Sequence, residues 1–115
     1  MIDAADRGGG GERMPGGADD PLARLQAWYA AQTDGDWEHS YGIRISTLDN
    51  PGWMLKVNLE GTALEGRPFG RVREDRSETD WVDCVVEADV FRGAGGTHNL
   101  RELIEVFVRW ADGAP

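Results

Sequence analysis

Apolar side chains recur at helical spacing in a stretch near the start of the chain. Leu22, Leu25 and Tyr29 share one face of this stretch. Asp20-Pro21 supplies a capping residue followed by a proline, which suits the first helical turn. The pattern predicts a helix that ends before Asp34-Gly35-Asp36, because Asp and Gly tolerate turn conformations that a helix interior excludes.

A second helical pattern closes the chain. Asn99 and Glu102 have the spacing of a capping box at its start, and Asp112-Gly113 is typical of a helix end. The intervening apolar face carries Leu100, Leu103, Ile104, Phe107 and Trp110. This breadth predicts a helix packed against a core.

Between the helices, the apolar pattern changes to the period of two that is typical of half-buried strands. Residues 41–47 alternate in this way, and residues 48–52 carry the Asp, Asn, Pro and Gly of a turn. One face of the return strand is apolar, with Trp53, Leu55, Val57 and Leu59. Together these residues predict a β-hairpin.

Two further strands are predicted downstream. Residues 69–73 form a weak third strand, and residues 74–80 are wholly polar and predict an exposed loop. Residues 81–91 predict one long strand with every second residue apolar, including Cys84 as an inert small hydrophobic side chain. Gly93-Ala94-Gly95-Gly96 is predicted to be a flexible link to the last helix.

This order of elements predicts an α+β fold. We expect an antiparallel sheet of about four strands, with the N-terminal and C-terminal helices packed on one face. The other face would be left to solvent or to a partner. By length, residues 20–115 are predicted to form a single domain. Residues 1–19 are Gly-rich and almost without apolar side chains, so they predict a disordered tail.

The chain is acidic, with 21 acidic and 12 basic residues and a net charge of −9. This balance opposes a phosphate backbone and therefore argues against nucleic-acid binding. It favours a partner with a basic surface. No apolar run approaches a membrane span, and the N-terminus has no apolar stretch like that of a secretory signal. A single cysteine excludes an intrachain disulfide and is typical of a reducing cytoplasm.

The motif Asp34-Gly35-Asp36-Trp37-Glu38-His39 holds the main candidate chemistry. Its carboxylates and imidazole are metal-ligand types, although the spacing lacks the Gly and Glu of an EF-hand loop. A carboxylate pair for hydrolysis is a second alternative. A third is a binding surface, in which Trp37 is an aromatic anchor within a charged rim. The structural alternative is that Trp37 fills the core while the acids cap turns.

This motif also carries a family resemblance. Together with Trp28-Tyr29 and Gln32 before it and residues 47–53 (Thr-Leu-Asp-Asn-Pro-Gly-Trp) after it, the motif resembles the immunity protein 53 family. These are small bacterial proteins attached to polymorphic toxin systems. The resemblance covers residues 22–59 in specific residues and the remainder in length and element order. It implies a cytoplasmic protein that binds and neutralises a cognate toxin without catalysis.

We therefore predict an immunity protein whose partner is a toxin domain with a basic surface. The predicted partner-binding residues are Asp34, Asp36, Trp37, Glu38 and Asp49. No catalytic residue, metal site or cofactor is predicted, and neither nucleic acid nor a membrane is expected as a partner. The alternative, from a different class, is a small carboxylate-dependent enzyme or metal-binding domain centred on the same motif.

Overall fold

Five antiparallel strands and three helices make up residues 20–113, the part of the chain that the computed structural model describes. The elements are α1 (Pro21–Gln32), α2 (Trp37–Ser40), β1 (Ile43–Leu48), β2 (Gly52–Asn58), β3 (Val72–Asp75), β4 (Trp81–Glu87), β5 (Val90–Gly95) and α3 (Leu100–Ala111). The predicted α+β fold is confirmed, with five strands rather than about four. The predicted tail, residues 1–19, lies outside the described residues.

The strands form one sheet in the order β1-β2-β5-β4-β3. The prediction of a single strand over residues 81–91 was wrong, because a two-residue turn at Ala88-Asp89 divides it into β4 and β5. Ala88 and Asp89 have φ angles of 51° and 60°, and Glu87 pairs with Val90 across the turn. These positive angles are those of a type I′ hairpin turn, which usually contains Asn-Gly. Ala88-Asp89 lacks these usual turn residues, and the apolar alternation continues through it. The sequence pattern therefore did not indicate a turn.

The predicted flexible link, Gly93 to Gly96, was also wrong, since Gly93, Ala94 and Gly95 lie within β5. Gly93 is buried beneath α3. A Cβ atom there would lie 3.2 Å from Phe91 and 3.3 Å from both Cys84 and Leu103. Glycine is therefore needed for the close approach of the helix to the sheet, not for flexibility.

The core lies between one face of the sheet and α3, which crosses β2, β5 and β4. The other main helix, α1, packs mainly against α3 rather than against the sheet. The fully buried side chains from strands and α3 include Leu55, Val57, Val82, Cys84, Phe91, Leu103 and Phe107. Trp53 is partly buried in phase with Leu55 and Val57, as predicted, and its indole Nε1 donates to Thr97 O at 3.0 Å.

Helix ends and the third strand differ from prediction in detail. Asp20 caps α1 by accepting from Leu22 N at 3.2 Å, as predicted. Asn99 does not form the predicted capping box. Its side chain accepts from Trp81 N at 3.3 Å and donates to Asp80 and Glu102, which joins the start of β4 to the start of α3.

The third strand is β3 (Val72–Asp75). It shares its first two residues with the predicted strand, 69–73, and its last two lie in the predicted loop, 74–80. Phe69 precedes it and contributes to the core instead. Its ring centroid lies 5.5 Å from that of Phe91 and 5.2 Å from that of Trp110. Phe69 therefore packs against aromatic side chains of the core and does not pair within a strand.

The sheet has a second face, which none of the described helices covers and which we call the open face. It is formed by the side chains that alternate with the buried ones, so Lys56 lies between buried Leu55 and Val57. Arg92 and Ala94 alternate in the same way with the buried residues of β5. Neighbouring positions in one strand therefore test the two faces separately.

We expect Gly93→Val to lower the free energy of unfolding by about 1–3 kcal/mol, because the added side chain overpacks the contact with α3. Ala94→Val, one residue away on the open face, should change it by less than about 0.5 kcal/mol. Urea unfolding of both variants measures the difference. Equal stability of the two would contradict the assignment of faces in β5.

Candidate functional site

The predicted motif forms a corner between α1 and β1, and two of its carboxylates hold the backbone there. Asp34 Oδ1 accepts from the N–H groups of Asp36 and Trp37, each at 2.9 Å. Glu38 reaches back and accepts from Asp34 N at 3.0 Å and from Gly35 N at 2.9 Å. These bonds satisfy two backbone donors at the start of α2 and two in the turn before it. We call residues 34–38 the acidic corner.

Trp37 is the residue of the acidic corner whose side chain is buried. Its side chain is only 7% exposed, and its indole Nε1 donates to Glu60 O at 2.8 Å. Its ring packs 6.1 Å from Trp28 and 6.2 Å from both Tyr29 and Tyr41, measured between centroids. Trp37 therefore fixes the corner against α1, and its indole offers little surface to a partner.

The backbone hydrogen bonds to Asp34 and Glu38 favour the ionised form of these two carboxylates. The backbone N–H of Trp37, followed by that of Asp36, lowers the pKa of Asp34. For Glu38, the backbone N–H of the same residue contributes most to a lowered pKa, and those of Asp34 and Gly35 contribute further. A hydrolytic pair requires one acid with a raised pKa, which neither residue has. The geometry of the corner suits fixed negative charge.

Asp49 lies apart from the other four predicted residues. It occupies the turn between β1 and β2, whereas the acidic corner precedes β1 in the chain. The rise of an extended strand separates the two ends of β1 by roughly 20 Å. The structure therefore places the predicted binding residues at the two ends of one strand, and their role in partner binding stays a prediction.

Within the described part of the chain, the other potentially reactive side chains do not come together in a site. Within residues 20–113, no group of three or more His, Cys, Asp or Glu side chains is placed to hold a metal ion. Cys84 is fully buried, and this burial raises the pKa of its thiol to about 12. The thiolate needed for nucleophilic chemistry is therefore scarce near neutral pH.

An apolar groove, which the sequence patterns did not predict, lies between α1 and β1. The groove has a volume of about 420 Å³. It is lined by Leu25, Gln26, Tyr29, Tyr41, Gly42 and Ile43. On the apolar face of α1, Leu25 is buried but Leu22 and Tyr29 are exposed, so that face is wider than its contact with the core. The exposed side chains of Leu22 and Tyr29 therefore add apolar surface beside the groove.

The described part of the chain is thus a small α+β domain with two carboxylates that cap its backbone and an apolar groove beside α1. The family model of immunity protein 53 matches residues 22–112, and the chain belongs to this family. No curated protein and no solved structure matches the chain. Among residues 20–113, no helix has the length and apolar character required to cross a membrane.

We expect Asp34→Ala to lower the thermal midpoint at neutral pH, because it removes the acceptor for two backbone donors. Asp36→Ala is the matched control, since the Asp36 side chain makes no capping bond. Because the pKa of Asp34 is lowered by folding, its contribution is present above its unfolded pKa of about 4 and is lost as the pH falls through the folded value.

The difference in thermal midpoint between wild type and Asp34→Ala should therefore shrink below about pH 4. Thermal unfolding followed by circular dichroism at several pH values measures it. If Asp36→Ala is as destabilising as Asp34→Ala at neutral pH, the assignment of the cap is wrong.

Cys84 should not react with an aromatic disulfide reagent at pH 8 while the protein is folded, because its thiol is buried and protonated. Unfolding in denaturant should release one reactive thiol for each chain. Rapid labelling of one equivalent without denaturant would contradict the burial of this residue.

Proposed function

We propose that this chain is a cytoplasmic immunity protein that binds a cognate bacterial toxin and blocks it without catalysis. The observation that carries this proposal is the match to immunity protein 53 over residues 22–112. The acidic corner supports it, because carboxylates fixed by backbone donors supply charge for recognition rather than an acid–base pair. Neutralisation would follow from occupying a surface that the toxin needs.

We further propose that the toxin presents a basic surface. The chain has a net charge of −9, so its field would attract such a partner from a distance. Asp36 and Asp49 are exposed at the two ends of β1, and neither side chain accepts a backbone hydrogen bond within residues 20–113. Asp34 and Glu38 add charge to the same field while they hold the backbone. Trp37 contributes by keeping the corner in place.

A direct test is co-purification with the toxin domain encoded by the adjacent gene. The chain and the toxin domain should elute together from a size-exclusion column, and co-expression should relieve the toxicity of the toxin. The alternative candidate, a carboxylate-dependent enzyme, requires no stable complex. Separate elution at micromolar concentrations, with toxicity unchanged, would overturn the proposal.

Charge reversal tests the contribution of the two exposed carboxylates, Asp36 and Asp49. We expect Asp36→Lys and Asp49→Lys each to slow association with the toxin domain about three- to tenfold at low salt, because steering depends on the local field. The effect should diminish at high salt, since exposed charges are screened. Surface plasmon resonance at two salt concentrations measures both rates.

Glu78→Lys is the matched control, because it makes the same change in net charge at an exposed position beyond β3. Its association rate should stay closer to that of wild type. If all three variants associate at the same rate, the acids at the ends of β1 have no special role in the encounter.

A further inference from the structure

The two edges of the sheet differ in how they are protected. The edge strand β3 has four residues, of which Arg73, Glu74 and Asp75 are charged. The edge strand β1 has six residues, and its Ile45 side chain is 44% exposed. Charged and short edges discourage the pairing of another strand, whereas a longer edge with exposed apolar side chains invites it. The β1 edge is therefore the one suited to pairing.

The unpaired backbone groups of this edge can be assigned from its register. Asn58 N donates to Gly42 O at 3.0 Å, which makes these two residues a hydrogen-bonded pair at the start of the β1–β2 ladder. Because such pairs alternate along antiparallel strands, Arg44 and Ser46 also bond to β2. The N–H and C=O groups of the alternate residues, Ile43, Ile45 and Thr47, then point away from the sheet.

On one side of this edge lies the apolar groove beneath α1. Ile43 lines the groove together with Tyr29 and Tyr41, and Ile45 continues the same face of β1. Helix α1 leaves this end of the sheet exposed because it packs mainly against α3. An extended chain beside β1 would place every second side chain on this apolar side.

On the other side lies a row of three cations. Arg44 pairs with Lys56, and Lys56 pairs with Arg92, so the three side chains lie directly opposite one another on the open face. Like charges at opposed positions are destabilising. None of the three forms an ion pair within residues 20–113, although the chain is strongly acidic. A carboxylate placed next to Arg44 would extend the row and offset its charge.

We propose that the β1 edge binds an extended segment of the toxin by strand addition. This inference rests on the proposed function and names the surface and the chemistry of the partner. The segment has apolar side chains that meet Ile43, Ile45 and the groove, and a carboxylate that faces Arg44. Main-chain hydrogen bonds to β1 give affinity, and the alternating side chains give specificity.

The same placement accounts for the acids at the two ends of β1. The acidic corner precedes this strand and Asp49 follows it, so basic residues that flank the added segment would lie near carboxylates at both ends. A second copy of this chain is a poorer occupant of the edge. It would bring another Arg44 to the same edge and would add positive charge to the row instead of offsetting it.

The decisive variant is Ile45→Pro, tested with the toxin domain encoded by the adjacent gene. Proline removes one outward N–H without removing a bond to β2, as is tolerated in edge strands. We expect it to weaken binding at least about tenfold, whereas Ile45→Val, which keeps both the N–H and an apolar side chain, should stay within about threefold.

The cation row is tested by Arg44→Glu, which should also weaken binding at least about tenfold. Arg109→Glu is its control, since it makes the same change in net charge at an exposed position on α3. Hydrogen exchange of the wild-type protein provides a readout that needs no variant. The amides of Ile43, Ile45 and Thr47 should become protected when the toxin domain is added.

The outcomes separate this inference from the proposed function. If the wild-type chain does not bind the toxin domain, the proposed function fails and this inference fails with it. If the wild type binds but these amides stay unprotected and Ile45→Pro binds as tightly, the inference alone is overturned. It is also overturned if Ile45→Pro abolishes only self-association of the chain, because the occupant is then a second copy.

Discussion

The packing of Phe107 joins the three parts of this fold. Its buried ring lies 5.0 Å from that of Trp28 on α1 and 5.2 Å from that of Phe91 on β5, measured between centroids. Helix α1 is therefore attached to the sheet largely through α3. This indirect attachment has a consequence at the sheet edge, because it leaves β1 and the groove beside it uncovered. The proposed binding surface thus follows from how the core is built.

The four acidic residues predicted to bind a partner divide into two physical roles. Asp34 and Glu38 accept backbone hydrogen bonds and are part of the structure of the corner. Asp36 and Asp49 are exposed and accept no such bond within residues 20–113, so we propose them as acids that meet a partner. Two acids of the motif therefore fix the backbone, and under the proposed function recognition would depend more on their exposed neighbours. The buried side chain of Trp37 likewise has a structural role within the motif.

The elements that the sequence predicted correctly are those whose ends are set by interactions between neighbouring residues. Asp20-Pro21 begins a helix and Asp112-Gly113 ends one because capping and turn chemistry depend on neighbouring residues alone. The division of residues 81–91 could not be predicted, since Ala88-Asp89 lacks the usual residues of its turn. Gly93 was misread because a glycine required by a helix above it has the same local signature as a flexible link. The groove was missed because it depends on how α1 sits relative to β1.

A titration of toxin activity against this protein tests the central claim most directly. A non-catalytic immunity protein should inhibit in proportion to the amount added and should complete inhibition near one equivalent. The toxin should regain its activity after the two chains are separated in denaturant and the toxin is refolded. Progressive and lasting inactivation by a small fraction of an equivalent would show that the protein acts as an enzyme. Unchanged toxin activity at a large excess of the protein would contradict the proposed function altogether.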